Sequence, residues 1–217
     1  MVDATDALTL FPHRFVPRTA DGAPFTLLLL HGTGGDENDL LPFGPLLAPG
    51  AALLSPRGRV LENGMPRFFR RFAEGVLDVE DLKVRTTELA QFVRAASVKY
   101  GLAGSPLYAV GFSNGANIAA STLFLEPELL DGAVLLRAMV PFEPDTRPAL
   151  QGKRVLLAAG RRDPYSGPEH TERLREILEE AGADVTVHWS NVGHALIQED
   201  MDAAAAWLSR ARPGGGS

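Results

Sequence analysis

Residues 107–124 constrain the fold of this chain more than any other stretch, because their character changes at a single serine. Leu107-Tyr108-Ala109-Val110 is an apolar, partly β-branched run too short for a helix. After Ser113, apolar residues recur at three- and four-residue spacing among alanines. The first half reads as a buried strand and the second as a helix. Between them stands Gly111-Phe112-Ser113-Asn114-Gly115, a Gly-x-Ser-x-Gly turn in which glycine on either side of the serine removes collisions with the neighbouring strand and helix. Such a turn lifts the serine hydroxyl clear of the sheet. It also aims the first helical N–H groups at whatever that hydroxyl attacks.

The flanking segments extend the pattern. Residues 25–31 and 51–55 read as buried strands, as do 132–139 and 154–159, while 184–189 alternates and 11–16 suits an edge strand. Helices are expected over 78–100, ended by Gly101, over 171–181, ended by Gly182, and over the alanine-rich 199–210. Alternating strands and helices predict an α/β fold with a mainly parallel sheet covered on both faces. Sites in such sheets lie beyond the carboxyl ends of the strands.

One domain over 1–212 is expected from 217 residues with 45% hydrophobic content and no linker-like segment, with 213–217 as a flexible glycine-rich tail. A net charge of −6 argues against a nucleic-acid partner, and the absence of cysteine removes disulfides, thiolate metal ligands and a cysteine nucleophile together. No signal peptide or membrane span is read from the sequence, so a cytoplasmic location without integral membrane association is expected, as a monomer or homodimer. No metal or other cofactor is called for.

A serine nucleophile needs a base, an acid to orient that base, and two N–H donors. Among the five histidines, His13, His170 and His188 sit where solvated or structurally satisfied imidazoles are usual. His194 follows the last strand in Asn191-Val192-Gly193-His194, a loop opening toward the carboxyl edge, and is the candidate base. Asp163 follows the strand 154–159 through Gly160-Arg161-Arg162 and is the candidate acid. Asp145 is the fallback, and Asp184 begins a strand at the wrong end of the sheet. The loop His31-Gly32-Thr33-Gly34-Gly35 should supply one backbone donor at Thr33, beside that of Asn114, with His31 bracing the loop. A phosphate-loop reading fails because Glu37 stands where G-x-G-x-x-G needs glycine.

Together, Leu30-His31-Gly32-Thr33-Gly34-Gly35-Asp36-Glu37, Gly111-Phe112-Ser113-Asn114-Gly115, Asp163 and Gly193-His194 resemble the phospholipase/carboxylesterase branch of the α/β-hydrolases, which includes the acyl-protein thioesterases. The His-Gly-Thr-Gly-Gly form and Arg67-Phe68-Phe69-Arg70-Arg71-Phe72 are most similar to small bacterial carboxylesterases. The resemblance covers about residues 25–208. It implies an α/β-hydrolase without a large cap domain that hydrolyses small esters through an acyl-enzyme, with long-chain thioester or lysophospholipid hydrolysis as the alternative. Thr33 stands where acyl-protein thioesterases carry leucine, so their lipidated-protein substrate is not carried over. Phe68, Phe69, Arg70 and Phe72 either line a substrate pocket, with Arg70 or Arg71 at a mouth favouring short or acidic esters, or are core phenylalanines among solvated arginines.

Overall fold

A computed structural model describes residues 4–211; the expected tail at 213–217 lies outside them. In chain order the elements are α1 (Ala4–Thr9), β1 (His13–Val16), β2 (Thr26–Leu30), α2 (Gly44–Leu47), β3 (Ala52–Pro56), β4 (Val60–Glu62), β5 (Met65–Arg67), β6 (Arg71–Ala73) and β7 (Val76–Leu77). There follow α3 (Val79–Tyr100), β8 (Leu107–Phe112), α4 (Asn114–Leu125), β9 (Gly132–Leu136), β10 (Arg154–Gly160), α5 (Pro168–Glu180), β11 (Asp184–Ser190) and α6 (Gln198–Leu208).

Seven strands form one sheet in the order β1-β3-β2-β8-β9-β10-β11. Only the edge strand β1 runs antiparallel to its neighbour. This is the α/β-hydrolase arrangement that the strand-helix alternation and the motifs led us to expect. Alternate residues of each strand supply opposite faces. Leu28, Leu30, Ala109 and Leu135 pack under α3, α4 and α5, while Leu27, Leu29, Val110, Val134 and Leu136 meet α2 and α6. Both faces are therefore apolar and covered, which is why these strands read as continuous hydrophobic runs.

The chain goes from β2 to β3 on one side and later to β8 on the other side of β2, so the strand order reverses between β2 and β8. The crevice at their carboxyl ends is where a doubly wound sheet can bind a ligand. Between β3 and α3 the chain forms two small hairpins, β4-β5 and β6-β7, and no large cap. Asp78 caps α3 by accepting from the Asp81 N–H, and Gly101 ends it at φ 66°. The expected strand 132–139 is shorter in the structure, because Arg137 adopts φ 58° and turns the chain out of the sheet after Leu136.

Candidate active site

Ser113 lies between β8, the central strand, and the first turn of α4, with φ 53° and ψ −112°. That conformation is strained by about 1 to 3 kcal/mol and persists only where the surroundings impose it. Here they do. A Cβ on Gly115 would lie 2.0 Å from the Leu30 carbonyl oxygen, and one on Gly111 would lie 2.5 Å from the Gly115 oxygen. The two glycines let α4 start directly against β2, and Ser113 is raised at the crevice.

The Ser113 hydroxyl is 2.8 Å from His194 Nε2, and His194 Nδ1 is 2.8 Å from Asp163 Oδ2. Asp163 can only accept, so Nδ1 carries the proton and Nε2 is left to accept from Ser113. Three residues spread over the sequence are thus in one hydrogen-bonded row. The imidazole lies between the rings of Phe112 and Tyr165, with centroids 5.5 and 5.2 Å away. Burial pushes the Asp163 carboxyl up, but the N–H groups of Tyr165 and Ser166, the Ser166 hydroxyl and His194 outweigh it, and the carboxyl is held below its ordinary value. Asp145, the fallback acid, is almost fully exposed beside Lys83.

Facing Ser113 is the loop after β2. His31 is buried. Its Nδ1 donates to the Gly32 carbonyl at 2.6 Å, and its Nε2 accepts from the Gly58 N–H at 2.9 Å. Burial, opposed by the Gly32 bond and nearby acids, lowers its pKa, so it braces the loop as a neutral imidazole. Gly34 and Gly35 spend their N–H groups on Pro66 and Gly32 carbonyls. Among the described residues, no protein acceptor takes the N–H of Thr33 or of Asn114. These two donors border a cleft of about 260 Å³ whose lining includes Thr33, Ser113, Asn114 and His194.

The pocket expectation needs correcting. Phe68 and Phe69 are fully buried in the core, where Phe68 packs on Phe11 and His31. Arg70 lies outside and pairs with Asp78 and Asp81, and Phe72 is 75% exposed. The cleft is lined instead by Arg67 and Arg71. Both engage Glu62 on β4, the strand paired with the one that carries Arg67.

Sequence reasoning also missed Arg137, which is 1% exposed. Its Nε donates to the Gly193 carbonyl and its Nη2 to the Ala195 carbonyl, the two carbonyls flanking His194. The same guanidinium reaches the Ala158 carbonyl, Ser190 Oγ and both oxygens of Asp200, the closest at 2.5 Å. A buried cation with this many fixed acceptors ties β10, β11 and α6 to the loop carrying His194. The available signal was a lone arginine inside the apolar run 133–140. Gly160 belongs to the same construction, since a Cβ there would lie 2.4 Å from the Gly193 oxygen.

Known proteins share this architecture. The Bacillus cereus carboxylesterase structure superposes with a TM-score of 0.88 at 47% identity, covering 93% of this chain and 94% of that one. A carboxylesterase from Mesorhizobium loti gives a TM-score of 0.84 at 32% identity, covering 93% and 95%. MhqD of Bacillus subtilis (strain 168) is 45% identical over 199 residues, 92% of this chain and 98% of that protein. Residues 12–211 match the family described as Phospholipase/Carboxylesterase, and this chain belongs to that family of α/β-hydrolases.

Proposed function

We propose that this protein is a serine carboxylesterase that hydrolyses small carboxylic esters through an acyl-enzyme on Ser113. The observation that carries this reading is the unbroken row Ser113-His194-Asp163 beside two unused backbone N–H groups. In the first half-reaction Ser113 Oγ attacks the ester carbonyl while His194 Nε2 takes the hydroxyl proton. The carbonyl oxygen becomes an oxyanion facing the N–H groups of Thr33 and Asn114, and losing one such donor costs on the order of 2.7 to 4 kcal/mol in the barrier.

Collapse of that intermediate expels the alcohol, which leaves with the proton held by His194. Water then attacks the acyl-enzyme, His194 accepts a proton from it, and the acid departs as that proton returns to Ser113. Asp163 fixes the Nδ1–H tautomer of His194 and stabilises its cation in both halves. The small cleft and the absence of a large cap support short esters over long acyl chains. Fluorophosphonate labelling followed by peptide mapping tests the reading: the expected adduct is on Ser113, and it should be lost in Ser113→Ala. Labelling elsewhere, or undiminished p-nitrophenyl acetate hydrolysis by that variant, would remove it.

A further inference from the structure

Apart from Glu74, the charged and amide side chains lining the cleft beside Ser113 and His194 have mainly hydrogen-bond donors to offer. The Asn114 carboxamide oxygen is taken by the Phe68 N–H at 2.7 Å, and the Asn117 carboxamide oxygen by the Met139 N–H at 2.8 Å. Each asparagine is 5% exposed or less, and what each has left to offer is its amino group. Asn114 Nδ2 has no partner among the described residues, a costly state for a buried amide unless a ligand accepts from it. Thr33 Oγ1 accepts from Arg67 Nη1, which leaves the threonine hydroxyl hydrogen to donate.

Charge follows the same pattern. Arg67 and Arg71 line the cleft and engage one carboxylate, Glu62, through their Nε atoms at 3.2 and 3.0 Å. Burial and the Arg71 charge push Arg67 down to about 10, so it remains a cation at neutral pH. Arg137 is neutralised by Asp200. Among the described residues the carboxylate lining the cleft is Glu74, which is at the exposed rim, accepts the Tyr165 hydroxyl and lies 4.0 Å from Arg71 Nη2. Arginines gathered along one cleft, with Glu74 at its rim, are in a chain of net charge −6 a local construction and not a consequence of composition.

We propose that this wall is an anion subsite, and that the cleft selects esters carrying a carboxylate in addition to the ester carbonyl, held by Arg67, Arg71 and the amino groups of Asn114 and Asn117. The proposal rests on the reading of Ser113 as nucleophile and names the class of substrate for that same site. A carboxylate accepts from several donors at once and is the ligand for which such a wall is complementary, whereas an alkyl group would leave Asn114 Nδ2 unpaired on binding.

Steady-state hydrolysis followed by pH-stat tests it with two matched pairs: monomethyl succinate against methyl 4-methylpentanoate, and the acetate ester of glycolic acid against isobutyl acetate. In each pair a carboxylate replaces an isopropyl group, on the acyl side or the alcohol side. At least one acidic member should exceed its neutral partner in kcat/KM by on the order of tenfold, as expected for charge-assisted hydrogen bonds. Arg71→Gln should collapse that ratio, and Glu74→Gln should raise it by removing the carboxylate at the cleft rim. Neutral esters hydrolysed as well as or better than both acidic ones would overturn the subsite while leaving the esterase reading intact. If no ester is hydrolysed, the esterase reading falls by itself. Saturation-transfer NMR on the intact protein then decides the subsite: selective binding of monomethyl succinate sustains it, and equal or absent binding of the matched pair overturns it.

Discussion

Ser113 and His194 are in hydrogen-bond contact, yet they are held by different physics. The serine turn is fixed by local sterics: two glycines, a strand before and a helix after, with Leu30 O only 2.0 Å from where a Gly115 side chain would begin. The histidine loop has no such local enforcement. Residues 191–197 contain no helix or strand, and their position comes from contacts made far along the chain. Arg137 grips the carbonyls on either side of His194 from 56 and 58 residues away, while Arg161 and Arg162 bond the Ser190 and Val192 carbonyls through their own N–H groups. One side of the site is specified by what cannot fit, the other by which acceptors a buried cation can reach.

This contrast can be broken by substitution. The largest effect is expected from Ser113→Ala, which should lower p-nitrophenyl acetate hydrolysis by a factor on the order of 10⁴ or more with the circular-dichroism spectrum unchanged. On the histidine side, Arg137→Met should destabilise the protein by about 3 to 5 kcal/mol in urea denaturation, because Asp200 is left buried without its cation. Adding Asp200→Leu should recover much of that stability. If Arg137 also positions His194, the double variant keeps a low kcat with little change in KM; full recovery of kcat would show that Arg137 is a structural support only.

Gly115→Ala comes next, with an expected loss of about 1 to 3 kcal/mol from forcing α4 away from β2, accompanied by loss of activity at permissive temperature. The smallest effects are those of pH. Asp163 is held below its usual 3.8, so the unfolded chain binds that proton more readily. Its contribution is complete above 3.8 and is lost as pH falls through the native value. His31, lowered from 6.5 by burial, has the same sign in a higher window: its contribution is complete above 6.5 and lost as pH falls from there toward its native pKa. Urea midpoints should therefore begin to drop just below pH 6.5, and His31→Gln should flatten that upper limb while leaving the lower one near Asp163.

Legibility in the sequence followed the same division. The serine turn, the glycine-rich loop after β2 and the covered strands were readable because each is written in contiguous residues. His194 and Asp163 could be nominated because the carboxyl ends of parallel strands restrict where partners can lie. The aromatic-arginine segment stayed open between pocket and core for the opposite reason. Its six residues are only phenylalanine and arginine, and tertiary contacts sort them: Phe68 packs on Phe11 and His31, Phe69 is buried in the same core, Arg67 and Arg71 turn to Glu62 and the cleft, and Arg70 and Phe72 face outward. Arg137 was hidden within an apolar run that reads as strand to its end. Its positive φ and its acceptors appear only after β10, β11 and α6 are assembled.

The sequence by itself determined the layered sheet, the raised serine and the glycine-rich loop after β2, since hydrophobic period and glycine sterics act between near neighbours. Which donors line the cleft, and what holds His194 within reach of Ser113, were decided only by the tertiary structure. Those outcomes depend on where a buried charge finds its counter-charge and acceptors, and that distance is set by the packed fold.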